Sequence, residues 1–309
     1  MTTVSRRQMS LGLLAVGSTA LAGCAPRPKL LSAPFSGRPN TRSILVATNR
    51  TMTPDPKVQF IEGRSDELSF LRYDISIPNT RKLGAYSFPK RDLDPEREFF
   101  VARTQNFATP QGFVAGVNAD IDLAADKSGN VLVFVHGYNS SYAGSVFRAA
   151  QISTDFDLDM PVTLFSWPSA ARVSRYSYDR DSALFARSGL ADTLALLART
   201  QARKITVLAH SMGSFIAMEA IKRLTMAGDA KTLSAISDVV LAQPDIDIDV
   251  FRRQMDDIDL NNQSIVVLAS QKDRALKLSS VLTGGHPRVG AGGNIESLRK
   301  LGVLVLDIS

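Results

Sequence analysis

Residues 209–213, with the sequence AHSMG, contain the serine of this chain whose surroundings most favour chemistry. They follow an apolar run at 205–208 and precede a helical pattern that begins near Ser214. In a tight strand-to-helix turn, small flanking residues let two backbones approach, and the serine hydroxyl is pushed outward as a nucleophile. Ala209 replaces the first glycine of this G-x-S-x-G pattern, and its single methyl group is the mildest substitution. Ser211 is therefore the candidate nucleophile; the alternative is a simple helix N-cap.

Strand and helix patterns alternate along the chain and predict how this serine is positioned. Continuous apolar runs, typical of parallel strands that are covered on both faces, occur at 44–47, 131–135, 162–165, 205–208, 239–241, 265–268 and 303–306. Helical spacing relates Leu190, Leu194 and Leu197, and also Ala217, Met218, Ile221 and Leu224. The alternation predicts an α/β fold with a mostly parallel central sheet and helices on both faces. Ligands and chemistry gather at the carboxyl ends of the strands in such sheets, which is where the serine falls.

A second motif, HGYN at 136–139, follows the strand pattern at 131–135. In α/β hydrolases the corresponding loop contributes a backbone N–H to the oxyanion hole, together with the N–H that follows the nucleophile. The donors here would be the N–H groups near Gly137 and Tyr138 and the N–H of Met212. A glycine in this loop lets the backbone approach the substrate carbonyl group.

Seven short motifs follow one another in a characteristic order. They are VHGYN at 135–139, RAAQ at 148–151, FSWPS at 165–169, YDR at 178–180, AHSMG at 209–213, LAQPDID at 241–247 and DRAL at 273–276. Together they resemble one uncharacterised family of bacterial α/β hydrolases, over roughly residues 43–309. The resemblance implies the α/β-hydrolase fold and a serine esterase reaction, while the physiological substrate of that family is unknown.

The resemblance also implies the acid of a catalytic triad. Asp273 lies four residues past the strand pattern 265–269 and matches the aspartate of the family. A carboxylate there would hold the tautomer of the catalytic histidine and stabilise its imidazolium form. Asp245, after the preceding strand, is the alternative acid. Asp273 could instead cap a helix at 274–282.

The catalytic histidine is the member of the triad that is hardest to assign. The chain has three histidines, and His136 is predicted to brace its loop while His210 is predicted to be structural. Elimination leaves His286. In α/β hydrolases the histidine normally follows the final strand, here 303–306, and this sequence ends at Ser309. Two predictions therefore stand side by side: His286 is recruited from the preceding loop, or the base is absent through truncation or a frameshift.

Composition excludes several other classes of function. The 309 residues carry a formal net charge of +6 without a dense basic run, so nucleic-acid binding is not expected. One cysteine rules out an internal disulfide and a cysteine-rich zinc site. The series Asp245, Asp247, Asp249 suggests a calcium loop, but Val250 replaces the glycine at position six and Asp256 the glutamate at position twelve. We expect no metal and no cofactor.

The N-terminus resembles a bacterial export signal. Residues 5–11, with the sequence SRRQMSL, resemble the twin-arginine export signal. They lead into a weakly apolar run at 9–23 that is too short to span a bilayer comfortably. The run ends in LAGC, which resembles a lipobox and marks Cys24 for lipidation. We therefore expect a signal peptide at 1–23, a lipid anchor and proline-rich tether at 24–42, and a hydrolase domain at 43–309. The alternative is a plain secretory signal with an incidental cysteine.

These observations predict an exported lipoprotein of the bacterial cell envelope, anchored in a membrane and facing the periplasm. Its expected reaction is hydrolysis of a small-molecule or lipid carboxylic ester through an acyl-enzyme intermediate on Ser211. The alternative function is a catalytically impaired protein of the same fold that serves as a binding or scaffolding protein of the envelope.

Overall fold

A nine-stranded β-sheet forms the centre of the fold in a computed structural model, which describes residues 27–33, 40–85, 87–88, 92–125, 127–258, 263–270, 272, 276, 285–292 and 295–309. The strands are β1 Thr41–Met52, β2 Phe60–Ser76, β3 Phe100–Phe107, β4 Asn130–Val135, β5 Val162–Ser166, β6 Lys204–His210, β7 Ile236–Ala242, β8 Ser264–Ala269 and β9 Leu304–Asp307. Their order across the sheet is β3-β2-β1-β5-β4-β6-β7-β8-β9.

The parallel part of this sheet is the part that the apolar runs predict. From β1 to β9 every neighbouring pair is parallel. Each predicted strand either matches one of these strands to within about a residue at each end or lies inside a longer observed strand. The expected α/β class is therefore confirmed.

The two strands β2 and β3 extend the sheet by antiparallel pairing and have no counterpart among the apolar runs. After Phe60, the first half of β2 mixes exposed with half-buried residues, and four of the eight residues of β3 are exposed. A strand covered on one face only lacks the continuous hydrophobicity that marks a central parallel strand.

Helices cover both faces of the sheet, as expected. Their bounds are α1 Pro110–Leu123, α2 Tyr142–Asp155, α3 Tyr176–Leu197, α4 Met212–Met226, α5 Ala230–Ala235, α6 Ile248–Asp257 and α7 Ile295–Arg299. One apolar core joins β1 through Leu45 to α1, α3, α4 and α6, and a second joins β1 through Ile44 to α2. Because adjacent residues of a strand point to opposite faces, these two cores lie on opposite sides of the sheet.

Part of the predicted proline-rich tether packs on the folded body. Leu30 is buried in the core beneath α2, and its N–H donates to the carbonyl of Lys57 at 2.9 Å. Ser32 forms an isolated bridge with Val101 on β3. An apolar side chain and backbone pairing hold residues 27–33 in place, so the structure differs from the tether prediction there. The predicted signal peptide and Cys24 lie outside the described residues.

Within the part of the chain that the structure describes, no helix combines the length and apolar character needed to cross a bilayer.

Candidate active site

Ser211 lies at the carboxyl end of β6, at the point where the chain turns into α4. Its backbone has φ 52° and ψ −121°, a region that non-glycine residues adopt only under strain. The turn is held on both sides: the Ser211 N–H donates to Ala242 on β7 at 2.9 Å, and the Ser211 carbonyl accepts the N–H of Asp245 at 3.2 Å. Ser211 occupies the N-cap position of α4, but its hydroxyl makes no capping hydrogen bond. The side chain is thus left available for chemistry.

Two glycines allow the loop after β4 to pack against this turn. A Cβ atom on Gly213 would lie 2.5 Å from the carbonyl oxygen of His136 and 2.7 Å from that of Val135. A Cβ atom on Gly137 would lie 2.5 Å from Nδ1 of His210 and 3.1 Å from Cβ of Ser211. Both distances to backbone oxygens are too short for a real side chain. The absence of side chains at these positions therefore brings the 136–139 motif into contact with the serine.

The predicted oxyanion donors meet around the serine. Met212 is the first residue of α4, where the backbone N–H groups have no partner within the helix and the helix dipole is positive. Gly137 packs against Ser211 from the other side. Tyr138 follows, with its ring edge-on to Tyr176 at 5.3 Å between centroids and its hydroxyl donating to the carbonyl of Val173. The arrangement suits an oxyanion hole, and the donor roles of Gly137, Tyr138 and Met212 stay predictions.

His136 is buried and held on every side. Its ring stacks on Trp167 with 5.1 Å between centroids, and its carbonyl accepts the Trp167 Nε1–H at 2.7 Å. Nδ1 lies 2.9 Å from the carbonyl oxygen of Gly137, so Nδ1 must carry the proton that is donated. Burial, reinforced by the nearby Arg50 guanidinium, lowers the pKa of His136 to about 3. These contacts agree with a bracing role rather than that of a general base.

His210 precedes Ser211 and is neutral at physiological pH. Burial lowers its pKa to about 4, and a hydrogen bond with Gln243 opposes that shift. His210 is paired in register with Ala242 of β7, and its ring contacts the loop at Gly137. The imidazole fills space between the loop and the sheet, as the structural role requires.

Asp245, the alternative acid, is buried beside the turn, and both of its carboxylate oxygens are engaged. Tyr176 donates its hydroxyl to Oδ2 at 2.9 Å, and Nε of the buried Arg288 lies 3.3 Å from Oδ1. The segment around Arg288 is tied to this loop by backbone hydrogen bonds, including Val289 N–H to the carbonyl of Ile246 at 2.9 Å. The carboxylate therefore links two loops beneath the site.

His286 lies on the same segment but faces solvent. Its side chain is 65% exposed, and Nδ1 is 3.8 Å from Oδ2 of Asp247. The other oxygen of Asp247 caps α6 by accepting the N–H groups of Asp249 and Val250. No contact between an imidazole and the Ser211 hydroxyl is seen in the described residues. Asp273, the predicted acid, lies outside them, so the triad roles of Asp273 and His286 stay predictions.

The cavity beside the serine turn is much smaller than a second cavity that lies away from it. A cavity of about 20 Å³, room for little more than one water molecule, borders Met212. It is lined by Tyr176, Phe215 and Val250 among others. A larger cavity of about 750 Å³ lies between β2, β3 and α3, and none of the residues from the 136–139 or 209–213 motifs lines it. The candidate nucleophile therefore lies at the strand ends and does not border the 750 Å³ cavity.

Two buried charges beside the 136–139 motif have no role in the sequence analysis. Arg50 lies within β1, three residues past the apolar run 44–47, and is 2% exposed. Asp179 occurs in the YDR motif and is fully buried. The parallel pairing of β1 with β5 ends at Thr48, two residues before Arg50. A charged residue shortly after a predicted central strand is the signal that could have identified Arg50, because such strand ends face the site. Among the described residues, no group of three or more metal-binding side chains comes together.

The parallel sheet, the strained serine turn and the loop packed against it define an α/β-hydrolase fold with a candidate serine nucleophile. Residues 115–309 match the family described as "Alpha/beta hydrolase of unknown function (DUF900)". This match spans more than half of the chain, and the chain belongs to that family. No curated protein matches the chain.

Solved structures that match this chain include a dienelactone hydrolase-like promiscuous phosphotriesterase, P91, from metagenomic libraries, with 11% identity and a TM-score of 0.39 over 86% of this chain and 82% of that one. Esterase B from Lactobacillus rhamnosis has 10% identity and a TM-score of 0.38 over 87% of this chain and 75% of that one. Lipase B from Aspergillus fumigatus has 13% identity and a TM-score of 0.30 over 46% of this chain, which spans 31% of the lipase. Similarity of this degree carries no information on activity.

Proposed function

We propose that this protein is a serine hydrolase that cleaves carboxylic esters. The observation that carries the proposal is the strained backbone of Ser211 at the carboxyl end of β6, with the Gly137 loop packed against its Cβ atom. Strain in a backbone persists only where the surrounding structure enforces it, and it is common at catalytic sites. Here the hydrogen bonds of the turn to β7 and to Asp245 enforce it.

In the proposed reaction the Ser211 oxygen bonds to the ester carbonyl carbon as its proton passes to a base. The carbonyl oxygen becomes negative and is stabilised by the N–H groups of Met212 and of the Gly137 loop. The carbon–oxygen bond to the alcohol then breaks, the alcohol takes the proton, and an acyl-serine remains. Water attacks the acyl-serine by the same route, which releases the acid and restores the serine.

Labelling with a fluorophosphonate probe tests the nucleophile. We expect the wild-type protein to be labelled and to hydrolyse short-chain nitrophenyl esters, and Ser211→Ala to lose both properties. Ser234→Ala is the matched control, because Ser234 is exposed on the ordinary helical backbone of α5 and should leave labelling unchanged. A folded wild-type protein that is neither labelled nor active would contradict the proposal.

His286→Ala in the same assay distinguishes the two predictions for the base. If His286 is the base, turnover in His286→Ala should fall about as far as it does in Ser211→Ala. The plot of rate against pH should also lose the part that reports titration of the base. Unchanged turnover in His286→Ala would show that His286 is not the base. The oxyanion donors alone would then support weak activity.

A binding or scaffolding role in the envelope is the second candidate function. It is favoured by one observation: His136 and His210 are engaged elsewhere, and His286 faces solvent beside Asp247. The absence of probe labelling in folded protein would support this role.

We also propose that the protein is a lipoprotein of the bacterial envelope. The support is the sequence LAGC that ends at Cys24, and the paired arginines before it. Several acyl chains on one cysteine would give stable anchoring, where a single chain is marginal.

A further inference from the structure

Arg50 bridges the end of β5 to the loop that carries the predicted oxyanion donors. Its Nε donates to Oγ of Ser166 at 3.1 Å, and one terminal nitrogen donates to the carbonyl of Ser169 at 3.0 Å. The other terminal nitrogen donates to the carbonyl of Ser140 at 2.9 Å and lies 3.5 Å from Nε2 of His136. One rigid guanidinium thus contacts two loops and a strand end at the same time.

The charge of this arginine is retained despite its burial. Burial lowers the pKa of Arg50 to about 10, and the negative charge of Asp179 opposes that shift. The side chain is therefore protonated at neutral pH. A cation in this place can act only as a donor, so the neighbouring Nε2 of His136 must present its lone pair. This requirement agrees with the proton on Nδ1 of His136.

Asp179 holds the same loop from the opposite side. One oxygen accepts the backbone N–H of Asn139 at 3.3 Å and the hydroxyl of Ser169 at 2.6 Å. The other accepts the N–H of Ala170 at 2.7 Å. Ser169 in turn accepts the N–H of Ser140 at 3.1 Å on its hydroxyl oxygen. Asn139 has a positive φ of 58°, a conformation that these contacts help to maintain.

We infer that Arg50, together with Asp179, is a positioning residue that holds the 136–140 loop so that the N–H groups of Gly137 and Tyr138 face the oxyanion of the reaction. Neither side chain contacts Ser211 among the described residues, so both act through the loop. The inference rests on the proposed function, because it gives the loop the role of an oxyanion hole. A displacement of about 1 Å in such a loop can cost on the order of 100-fold in rate.

Arg50→Lys tests geometry separately from charge. Lysine keeps the positive charge, but a single ammonium group cannot reach acceptors on Ser166, Ser169 and Ser140 at once. We expect kcat for a nitrophenyl ester to fall by about 10- to 100-fold with little change in KM, less than the ~100- to 1000-fold loss of a whole oxyanion donor. Arg72→Lys is the matched control, since Arg72 is a partly buried arginine on β2 that pairs with Asp120 away from the loop.

Hydrogen–deuterium exchange of residues 137–140 provides a readout that does not depend on turnover. We expect these amides to exchange faster in Arg50→Lys than in the wild-type or Arg72→Lys protein, while the amides of α1 keep their protection. Asp179→Asn keeps the shape of the side chain but loses one acceptor oxygen, so it should show the same local effect if Arg50→Lys does not fold.

The outcomes separate this inference from the proposed function. A wild-type protein without Ser211-dependent turnover would reject the proposed function, and the exchange measurement would then decide the positioning role of Arg50 alone. An active Arg50→Lys protein with wild-type kcat and unchanged loop exchange would overturn the inference and leave the proposed function standing. Faster exchange throughout the protein, without a change in kcat of the folded fraction, would also overturn it.

Discussion

His136 shows how the surroundings of one residue decide what chemistry it can do. A histidine beside a candidate nucleophile is an obvious choice of base, yet this imidazole is buried, stacked on Trp167 and placed next to the Arg50 cation. Protonation would put two positive charges together away from water, which is costly. The same residue therefore stabilises the loop as a neutral group.

A pH dependence of stability follows from that depressed pKa. The unfolded chain takes up a proton on His136 below about 6.5, whereas the folded protein does so only near 3. The unfolded state binds more protons in this window, so the contribution of His136 to the free energy of unfolding falls as the pH drops from about 6.5 towards 3. We expect this free energy, measured by urea denaturation between pH 7 and 5, to depend less steeply on pH in His136→Asn.

Ser145→Ala is the control for that experiment. Ser145 is buried in the same network, with its hydroxyl 3.0 Å from that of Ser166, but it does not titrate in this range. The Ser145→Ala variant should therefore lower the free energy of unfolding by the same amount at each pH. An identical slope in His136→Asn and wild-type protein would contradict the prediction.

At the scale of elements, the contact between α4 and the end of β4 is the feature that assembles the site. The N-terminus of α4 reaches the carbonyl groups of Val135 and His136 because Gly213 has no side chain. This contact brings the 136–139 motif and the serine turn together, although they are far apart in the chain.

Gly213→Ala should therefore weaken both stability and turnover. The added methyl group would meet two backbone oxygens at 2.5 and 2.7 Å, and backbone cannot move aside as a flexible side chain does. We expect a loss of about 1–3 kcal/mol in the free energy of unfolding, with a reduction of kcat, measured by urea denaturation and ester hydrolysis.

Gly112→Ala in α1 is the matched control. A Cβ atom on residue 112 would have Oγ1 of Thr109 as its nearest neighbour, at 3.4 Å, which is an ordinary van der Waals contact. Alanine is favoured over glycine in a helix by up to about 1 kcal/mol, so this variant should be neutral or more stable. Equal behaviour of the two variants would show that the close approach at Gly213 is unimportant.

At the scale of the whole molecule, the segment that follows the proposed lipidation site packs on the folded body. The described chain begins at Arg27, whose guanidinium donates to the carbonyl of Ala171 at 3.1 Å. Ala171 follows β5 and residues 167–169 at the carboxyl edge of the sheet. The segment 27–33 therefore contacts, through Arg27, the same edge of the sheet as the candidate active site.

Cys24→Ser tests the anchor. We expect this variant to leave the membrane fraction or to remain uncleaved, because serine cannot accept a thioether-linked lipid. Replacement of the arginines at 6–7 by lysines should block export if the twin-arginine route is used. Unchanged membrane association and processing of Cys24→Ser would reject lipidation.

The parallel strands, the serine turn and the HGYN loop could be predicted from the sequence because their signals are local. A continuous apolar run marks a buried strand, and the residues that follow it must lie at the carboxyl edge of the sheet. The positions of Ser211 and Gly137 at this edge follow in this way, without knowledge of any long-range contact, and their catalytic roles stay predictions. The α/β class follows from the same patterns.

Only the tertiary structure decided which distant groups support that site. Arg50 reaches Ser140 and Ser166 across 90 and 116 residues of sequence, and Asp179 reaches Asn139 across 40. No local pattern encodes such contacts, because they depend on the order of strands and on rotamers chosen in the packed interior. The antiparallel strands β2 and β3 were not predicted for a related reason. Their partly exposed residues join the sheet only because β2 pairs with β1 and β3 pairs with β2.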